Sequence, residues 1–420
     1  MYLLKLLNIL KANSLRFFSK YQKKFKKSIW FTERIDFFIL VSALILIITP
    51  VFIGIFSGRS SDGNRSDKIE LFLSPESLEL FGREFTETML LEFSREFPDL
   101  RITVLNNPPE KDKEPDIFIF AQGQFNKLSS AGALFPLVSF MDLLFYNIEL
   151  LSIAGFDRPP KTRDEFLLYA KTVSRGNNAA QAGASGMAIG LSPRDNLAVS
   201  RDIFSWIWAS GNDFWSAEDT PVINTRFIIR DITFLGSLFR ENALARESFE
   251  ATGDQRLEEF ARGEIAMMIT STHAIPALRE KMGDSAFGVT TIPDSGIGGK
   301  YNIGISSIYA GINNNTVFPE EAWIFLSFLI RQIPLLCAEL KAVPGSADDL
   351  FFGDYMINDP FYSKARDIFE SANIVRGFSG IPGGEDYENI VREEMQIFFE
   401  TGRTAQQTVY AIQQRWDTVQ

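Results

Sequence analysis

"LEEFARGEIAMMITSTH", residues 257–273, changes its pattern halfway. Leu257, Phe260 and Ala261 recur at helical spacing. Arg262-Gly263 breaks that rhythm, and Ile265 to Ile269 is an unbroken apolar run of strand length. Thr270, Ser271, Thr272 and His273 then follow, the last being the only histidine in the chain. A helix, a turn and a buried strand in this order are the repeating unit of an α/β fold. Ligands of open α/β sheets sit where strands leave the sheet at their carboxyl ends. The polar tail Thr270 to His273 is therefore expected to line a cleft.

The same alternation extends outward from this stretch. "IELFLS" (69–74), "RITVLN" (101–106) and "DIFIF" (116–120) read as strands. Leu80, Phe81, Phe85, Met89, Phe93 and Phe97 have helical periodicity, and "AQGQFNKLSSAGAL" starts polar and becomes helical. "PLVSFMDLLFYN" (136–147) and "GMAIGLS" (186–192) are strand candidates. Thr162 with Glu165 forms a capping-box pattern before "DEFLLYAKTV". "RDIFSWIWASG" reads as a helix closed by Gly211, and "TRFIIRDITFLGSLFREN" as another. "FGVTTIP" and "SIYAGINN" are further strands, and Pro319 opens the helix "PEEAWIFLSFLI". The pattern predicts a mostly parallel sheet covered by helices.

The first part of the chain is different. Phe37 to Phe56 is an uncharged apolar run of 20 residues, enough at about 1.5 Å per residue to span a hydrocarbon core of ~30 Å. Lys20, Lys23, Lys24, Lys26, Lys27 and Arg34 precede it, against Arg59, Arg65 and Lys68 after it. That bias predicts an uncleaved anchor with residues 1–36 as a basic cytoplasmic leader, 37–56 as the membrane span and 57–68 as a flexible tether. The large domain is then expected in the periplasm or extracellular space.

Residues 1–57 hold nine Lys/Arg and two acidic residues, so the remainder stands at −18 against −11 for the whole chain. That charge argues against nucleic acid as a partner. The single cysteine, Cys337, lies in "IPLLCAEL" and reads as core; it offers neither a disulfide nor a zinc site. With 420 residues, two or more lobes are expected.

Six segments in order resemble the extracellular solute-binding proteins of ABC importers, in particular the sugar-binding family that includes maltose-binding protein. They are "EPDIFIFAQGQFNKLSSAGALFPL", "PLVSFMDLLFYN", "PPKTRDEFLLYAKTV", "FARGEIAMMI", "YAGINNNTVFPEEAWIFLSFLI" and "KAVPGSADDL". The resemblance covers roughly residues 69–420. It implies an α/β, two-lobed periplasmic-binding-protein fold of type II that closes as a hinge-bending clamp, preceded here by the N-terminal transmembrane helix. It implies a first lobe of 69–140 and 309–352 and a second of 141–308 and 353–420. Chain crossings are implied near Phe135–Asp142, Ile305–Ile312 and Ala347–Asp359. One departure is that "AGAL" and "FPLV" are contiguous here, where family members usually carry several dozen residues.

The function implied is capture of a small polar ligand, a carbohydrate, for ABC permease subunits. Candidate ligand contacts carried over by position are Ser74 and Glu76, Phe120, Gln122 and Gln124, Arg201, Trp206, His273, Tyr387 and Glu388. His273 stands where many relatives have a tryptophan. Trp206 and Trp208, two apart, cannot share one helix face. No cofactor and no metal are expected. An enzyme is disfavoured: there is no Gly-x-Ser-x-Gly elbow, and "GIGGK" at 296–300 lacks the phosphate-loop spacing. A non-transport sensor or scaffold derived from such a binder is the alternative.

Overall fold

The computed structural model describes residues 69–106, 114–122, 131–176, 183–195, 197–216, 218, 220–245, 249–296, 301–345, 354–375, 377–378 and 383–419. The basic leader, the apolar span, the tether and Gln124 lie outside the described residues, as does most of the third crossing.

The strands are β1 (Ile69–Leu73), β2 (Leu100–Val104), β3 (Ile117–Ala121), β4 (Ala131–Asn147), β5 (Ser185–Ala188), β6 (Leu244–Ala245), β7 (Ile265–Ser271), β8 (Phe287–Thr290), β9 (Asn302–Asn313), β10 (Val343–Pro344) and β11 (Asn373–Val375). Their order is β2-β1-β3-β9-β4-β7-β5-β6, with β8 and β10 also on β4 and β11 on β9.

The sheet is mixed rather than mostly parallel. β1 pairs in parallel with β2 and β3, β5 with β6 and β7, and β9 with β11. Every pairing of β4 is antiparallel, as is β3 with β9. β4 is the reason. Its first part, to Met141, pairs with β9 and β10, and from Asp142 onward it pairs with β7, and from Leu144 with β8. Two groups of strands therefore share one 17-residue strand.

"AGAL" belongs to β4 and is not helical: Ala131 pairs with Asn313 and Leu134 with Gly311. Backbone pairing to β9 outweighs the helical propensity of two alanines and a leucine. Likewise the periodic run after β1 is two helices, Glu76–Leu80 and Arg83–Glu96, because Gly82 between them adopts φ 83°. "RDIFSWIWA" is a π-helical turn, Ser200–Phe204, running into an α-helical turn, Ser205–Ala209. The strand read at 186–192 ends at Ala188.

Caps place several helices. Thr162 Oγ1 accepts the Glu165 N–H at 3.2 Å, starting helix Arg163–Arg175. The other half of the box is diverted, since Glu165 pairs with Arg158 at 2.8 Å and accepts the Lys161 N–H. Full boxes form at Thr252 with Gln255 and Thr404 with Gln407.

Burial follows the strand groups. Leu71, Phe93, Val138, Phe140, Phe325 and Leu329 form one apolar cluster. A second gathers Leu144, Phe166, Trp206, Trp208, Met267 and Ile269, and a third lies around Met141, Leu143, Phe145 and Phe260 on the opposite face of β4. Cys337 is buried in the first. Among the described residues no single helix is long and apolar enough to cross a membrane.

Candidate ligand-binding site

Side chains alternate along a strand, so Val138, Phe140, Asp142 and Leu144 share one face of β4. Val138 and Phe140 belong to the first apolar cluster and Leu144 to the second. Asp142 stands at the seam between them. Residues opposite one another in antiparallel strands also share a face. Ser271, opposite Asp142, and Ser306, opposite Phe140, therefore join this face. Both serines are partly exposed, so the seam reaches solvent.

Gly304 of β9 leaves room on the floor. A Cβ there would meet Asp142 Oδ2 at 3.2 Å and the Trp208 ring at 2.7 Å. The carboxylate and the indole thus converge over bare backbone. Asp142 is 6% exposed and accepts no hydrogen bond among the described residues. Burial pushes its pKa up from 3.8 to about 7; Arg201 opposes this, and Asp202 and Asp195 add to it.

His273 borders the same seam. Its ring centroid is 4.8 Å from that of Phe140, edge to face, and its backbone N–H donates to Ser271 Oγ at 3.1 Å. The side chain is exposed, yet the surrounding protein desolvates the ring enough to lower its pKa, against the pull of Asp254. Thr272 turns inward, where its Oγ1 accepts the Met141 N–H at 3.2 Å. Thr270 lies opposite Leu143, on the other face of the sheet. Strand alternation thus divides the polar tail: Ser271 and His273 meet the seam, and Thr270 and Thr272 do not.

Behind the seam lies a closed ionic network. Arg256 donates to Asp202 at 2.6 Å and to Asp195 at 3.3 Å. Arg201 donates to Asp195 at 2.5 Å and lies 3.5 Å from Asp202. Gly190 makes this possible, because a Cβ would fall 2.4 Å from the Arg256 guanidinium carbon. Arg201 acts on Asp142 through space, but its hydrogen bond goes to Asp195.

The other sequence candidates are dispersed. Ser74 Oγ accepts the Ile119 N–H at 2.8 Å, tying β1 to β3. Glu76, half-buried, opens helix Glu76–Leu80. Phe120 is buried and stacks on Tyr309 at 5.7 Å. Gln122 Oε1 accepts the Ser307 N–H at 3.1 Å. Trp206 is fully buried against Phe166 and Phe234. Tyr387 stacks on Phe378 at 4.9 Å with Trp416 at its edge. Glu388 accepts from Ser200 Oγ at 3.0 Å and from the Phe378 N–H at 3.1 Å; burial pushes its pKa up from 4.5 to about 7. Asp142 was not among the candidates, although it is the only charge between Phe135 and Asn147. Among the described residues no group of three or more His, Cys, Asp or Glu is placed to hold a metal ion.

The profile of the family described as "Bacterial extracellular solute-binding protein" matches residues 97–332. The chain belongs to this family. A curated binding protein of Brucella abortus (strain 2308) is 21% identical to this solute-binding protein over 279 residues, 63% of this chain and 62% of that one. The chain thus spans under two thirds of the length of the curated relatives it matches. Maltose-bound MalE3 of T. maritima matches with TM-score 0.63 at 15% identity, covering 84% of this chain and 100% of that one. UgpB of Mycobacterium tuberculosis with glycerophosphocholine matches with TM-score 0.63 at 17% identity, covering 85% and 98%. An ABC-transporter solute-binding protein of Agrobacterium radiobacter K84 with ribitol matches with TM-score 0.59 at 19% identity, covering 85% and 99%. The fold is the α/β periplasmic-binding-protein fold, and the family and these structures are of binding proteins rather than enzymes.

Proposed function

We propose that this solute-binding protein is a membrane-anchored, extracytoplasmic receptor that captures a small polyhydroxylated ligand, a carbohydrate or polyol, for an ABC importer. The seam on β4 carries the reading. Asp142, Ser271 and Ser306 offer polar groups there, and His273, backed by the buried Phe140, offers a ring for C–H contact. In this reading β4 and β9 are the crossings, with lobes 69–140 plus 309–352 and 141–308 plus 353–420. Bending at the strands would bring lobe surfaces onto a ligand held at the seam. Maltose and ribitol in the similar structures support a polyhydroxylated ligand. The apolar run Phe37–Phe56 and its preceding lysines support the anchor.

The test is a thermal-shift screen of sugars, oligosaccharides and polyols. Binding to the native state alone stabilises by RT ln(1 + [L]/Kd), ~2.7 kcal/mol at a hundredfold excess over Kd. Shifts confined to amino acids or metal ions would reject the carbohydrate assignment. Protease treatment of intact spheroplasts tests the anchor: it should remove the large domain and leave a small N-terminal fragment.

A further inference from the structure

We propose that Asp142 selects a ligand bearing a protonated amino group, an amino sugar being the simplest form, and disfavours anionic ligands. This rests on the carbohydrate-binding reading above and narrows its ligand class.

Three observations carry it. The first is the missing partner. Asp142 is a buried carboxylate that accepts no hydrogen bond among the described residues, on the face that opens to solvent at Ser271 and Ser306. A buried carboxylate without a donor is costly, and a ligand that brings donors and a positive charge supplies what is missing.

The second is the charge balance. The charged groups acting on Asp142 are Arg201, Asp202 and Asp195. Arg201 is committed to Asp195, and Arg256 behind it to Asp202 and Asp195. With Asp142 ionised, two guanidiniums stand against three carboxylates, Asp142, Asp195 and Asp202, and one negative charge is left for a cationic ligand to balance. β9 contributes Gly304 and β7 contributes Ser271 around Asp142, and neither titrates. At the seam's border Asp254 acts on His273, whose ring is desolvated toward its neutral form. The guanidiniums behind the seam are already taken by Asp195 and Asp202, so an anionic ligand would meet only a protonated Asp142 and a neutral imidazole.

The third is the lining. The Trp208 ring lies against Gly304 beside the carboxylate, and Phe140 stands next on the same face of β4. Both rings are buried and form a dry wall behind the carboxylate; the exposed ring at the seam is His273, which offers a flat face to a sugar's C–H groups beside an ammonium held by Asp142.

Proton linkage gives a readout that packing alone would not. The free carboxyl is largely protonated below about pH 7. An ammonium ligand favours the ionised form, so binding at about pH 6 releases a proton from Asp142. A neutral sugar lacks the charge that drives this release.

The experiment uses the full chain, purified in mild detergent, with matched triplets: glucose, glucosamine and glucuronate, and the corresponding β-1,4 disaccharides. Titration calorimetry at about pH 6 in two buffers of different ionisation enthalpy measures affinity and proton release together. The amine should bind about tenfold or more tightly than its neutral counterpart, the scale of a charge-assisted hydrogen bond. The uronate should bind weakest. Asp142→Asn should retain the native circular dichroism spectrum, reduce the amine to the neutral sugar's affinity and abolish proton release. Equal binding of amine and neutral members, or an unchanged Asp142→Asn variant, overturns the proposal while leaving carbohydrate binding intact. Failure of every member to bind overturns the amino-sugar proposal, while carbohydrate binding is then decided by the broader thermal-shift screen.

Discussion

Phe140 and Asp142 are two residues apart on the same face of β4, yet Phe140 is packed in an apolar cluster and Asp142 accepts no hydrogen bond among the described residues. A strand that passes from one core to another crosses the gap between them, and Asp142 lies in that gap. The switch coincides with a change of partner: Met141 pairs with Ile305 of β9, and Asp142 with Ser271 of β7.

The buried Asp142 carboxylate has a stability consequence. Its folded pKa is raised from 3.8 to about 7, so the native state holds the proton more tightly than the unfolded chain. Its contribution is fully favourable below about pH 4 and is lost as pH rises through about 7. Asp142→Asn should therefore raise stability above pH 7 by on the order of 2–4 kcal/mol and flatten the profile between about pH 4 and 7. Urea denaturation across that range checks it. A variant less stable than wild type at pH 8 would show that Asp142 has a compensating partner.

Glu388 has the same sign for the same reason, burial, although it accepts two hydrogen bonds. It joins helix Gly384–Thr401 to the π-helical turn Ser200–Phe204 through Ser200, and its pKa is raised from 4.5 to about 7 by burial. Glu388→Gln keeps a carbonyl acceptor for the Ser200 hydroxyl and the Phe378 N–H. The variant should be more stable than wild type above pH 7 by roughly 1–3 kcal/mol and indistinguishable from it near pH 4. Melting temperatures at the two pH values decide this; a loss at both would mean that the carboxylate itself is required.

Gly190 and Arg256 form one prediction. Gly190→Ala would push the guanidinium off its place and leave Asp202 and Asp195 short of a cation. Arg256→Ala removes it outright. Both should destabilise by about 3–5 kcal/mol, the scale of breaking a buried ion pair from one side. Chemical denaturation of the two variants should give similar losses, and a neutral Gly190→Ala would contradict the packing described.

Cys337 is buried in the first apolar cluster, and burial pushes its thiol up to about 12. Thiolate reactivity in the native state should therefore be negligible. A disulfide reagent at pH 8 should label the thiol only as denaturant unfolds the chain. Fast labelling without denaturant would place the thiol at the surface.

Much of the fold was legible in the sequence. The apolar run 265–269 is the buried part of β7, and "DIFIF" is β3 within one residue. Both are short and flanked by clear breaks, so periodicity was enough. "AGAL" reads as helical from its residues alone, because its strand state is imposed by β9, far away in sequence. The site was less legible. Ser74 and Gln122 carry the polar signature of ligand contacts, but their side chains satisfy the backbone of Ile119 and Ser307. Sequence does not distinguish those two uses. Asp142 could have been found as the lone charge in an apolar strand. Its meaning depends on which cores flank it, and only the structure supplies that.

The central claim, reversible capture of a polar solute at the seam on β4, is tested most directly by native mass spectrometry of the full chain purified from its source cells. The account predicts one polar small molecule retained by wild type, released chemically unchanged on denaturation and absent from the Asp142→Asn, His273→Ala double variant. Retention of the same molecule by the double variant, or its recovery as a reaction product, would contradict the account.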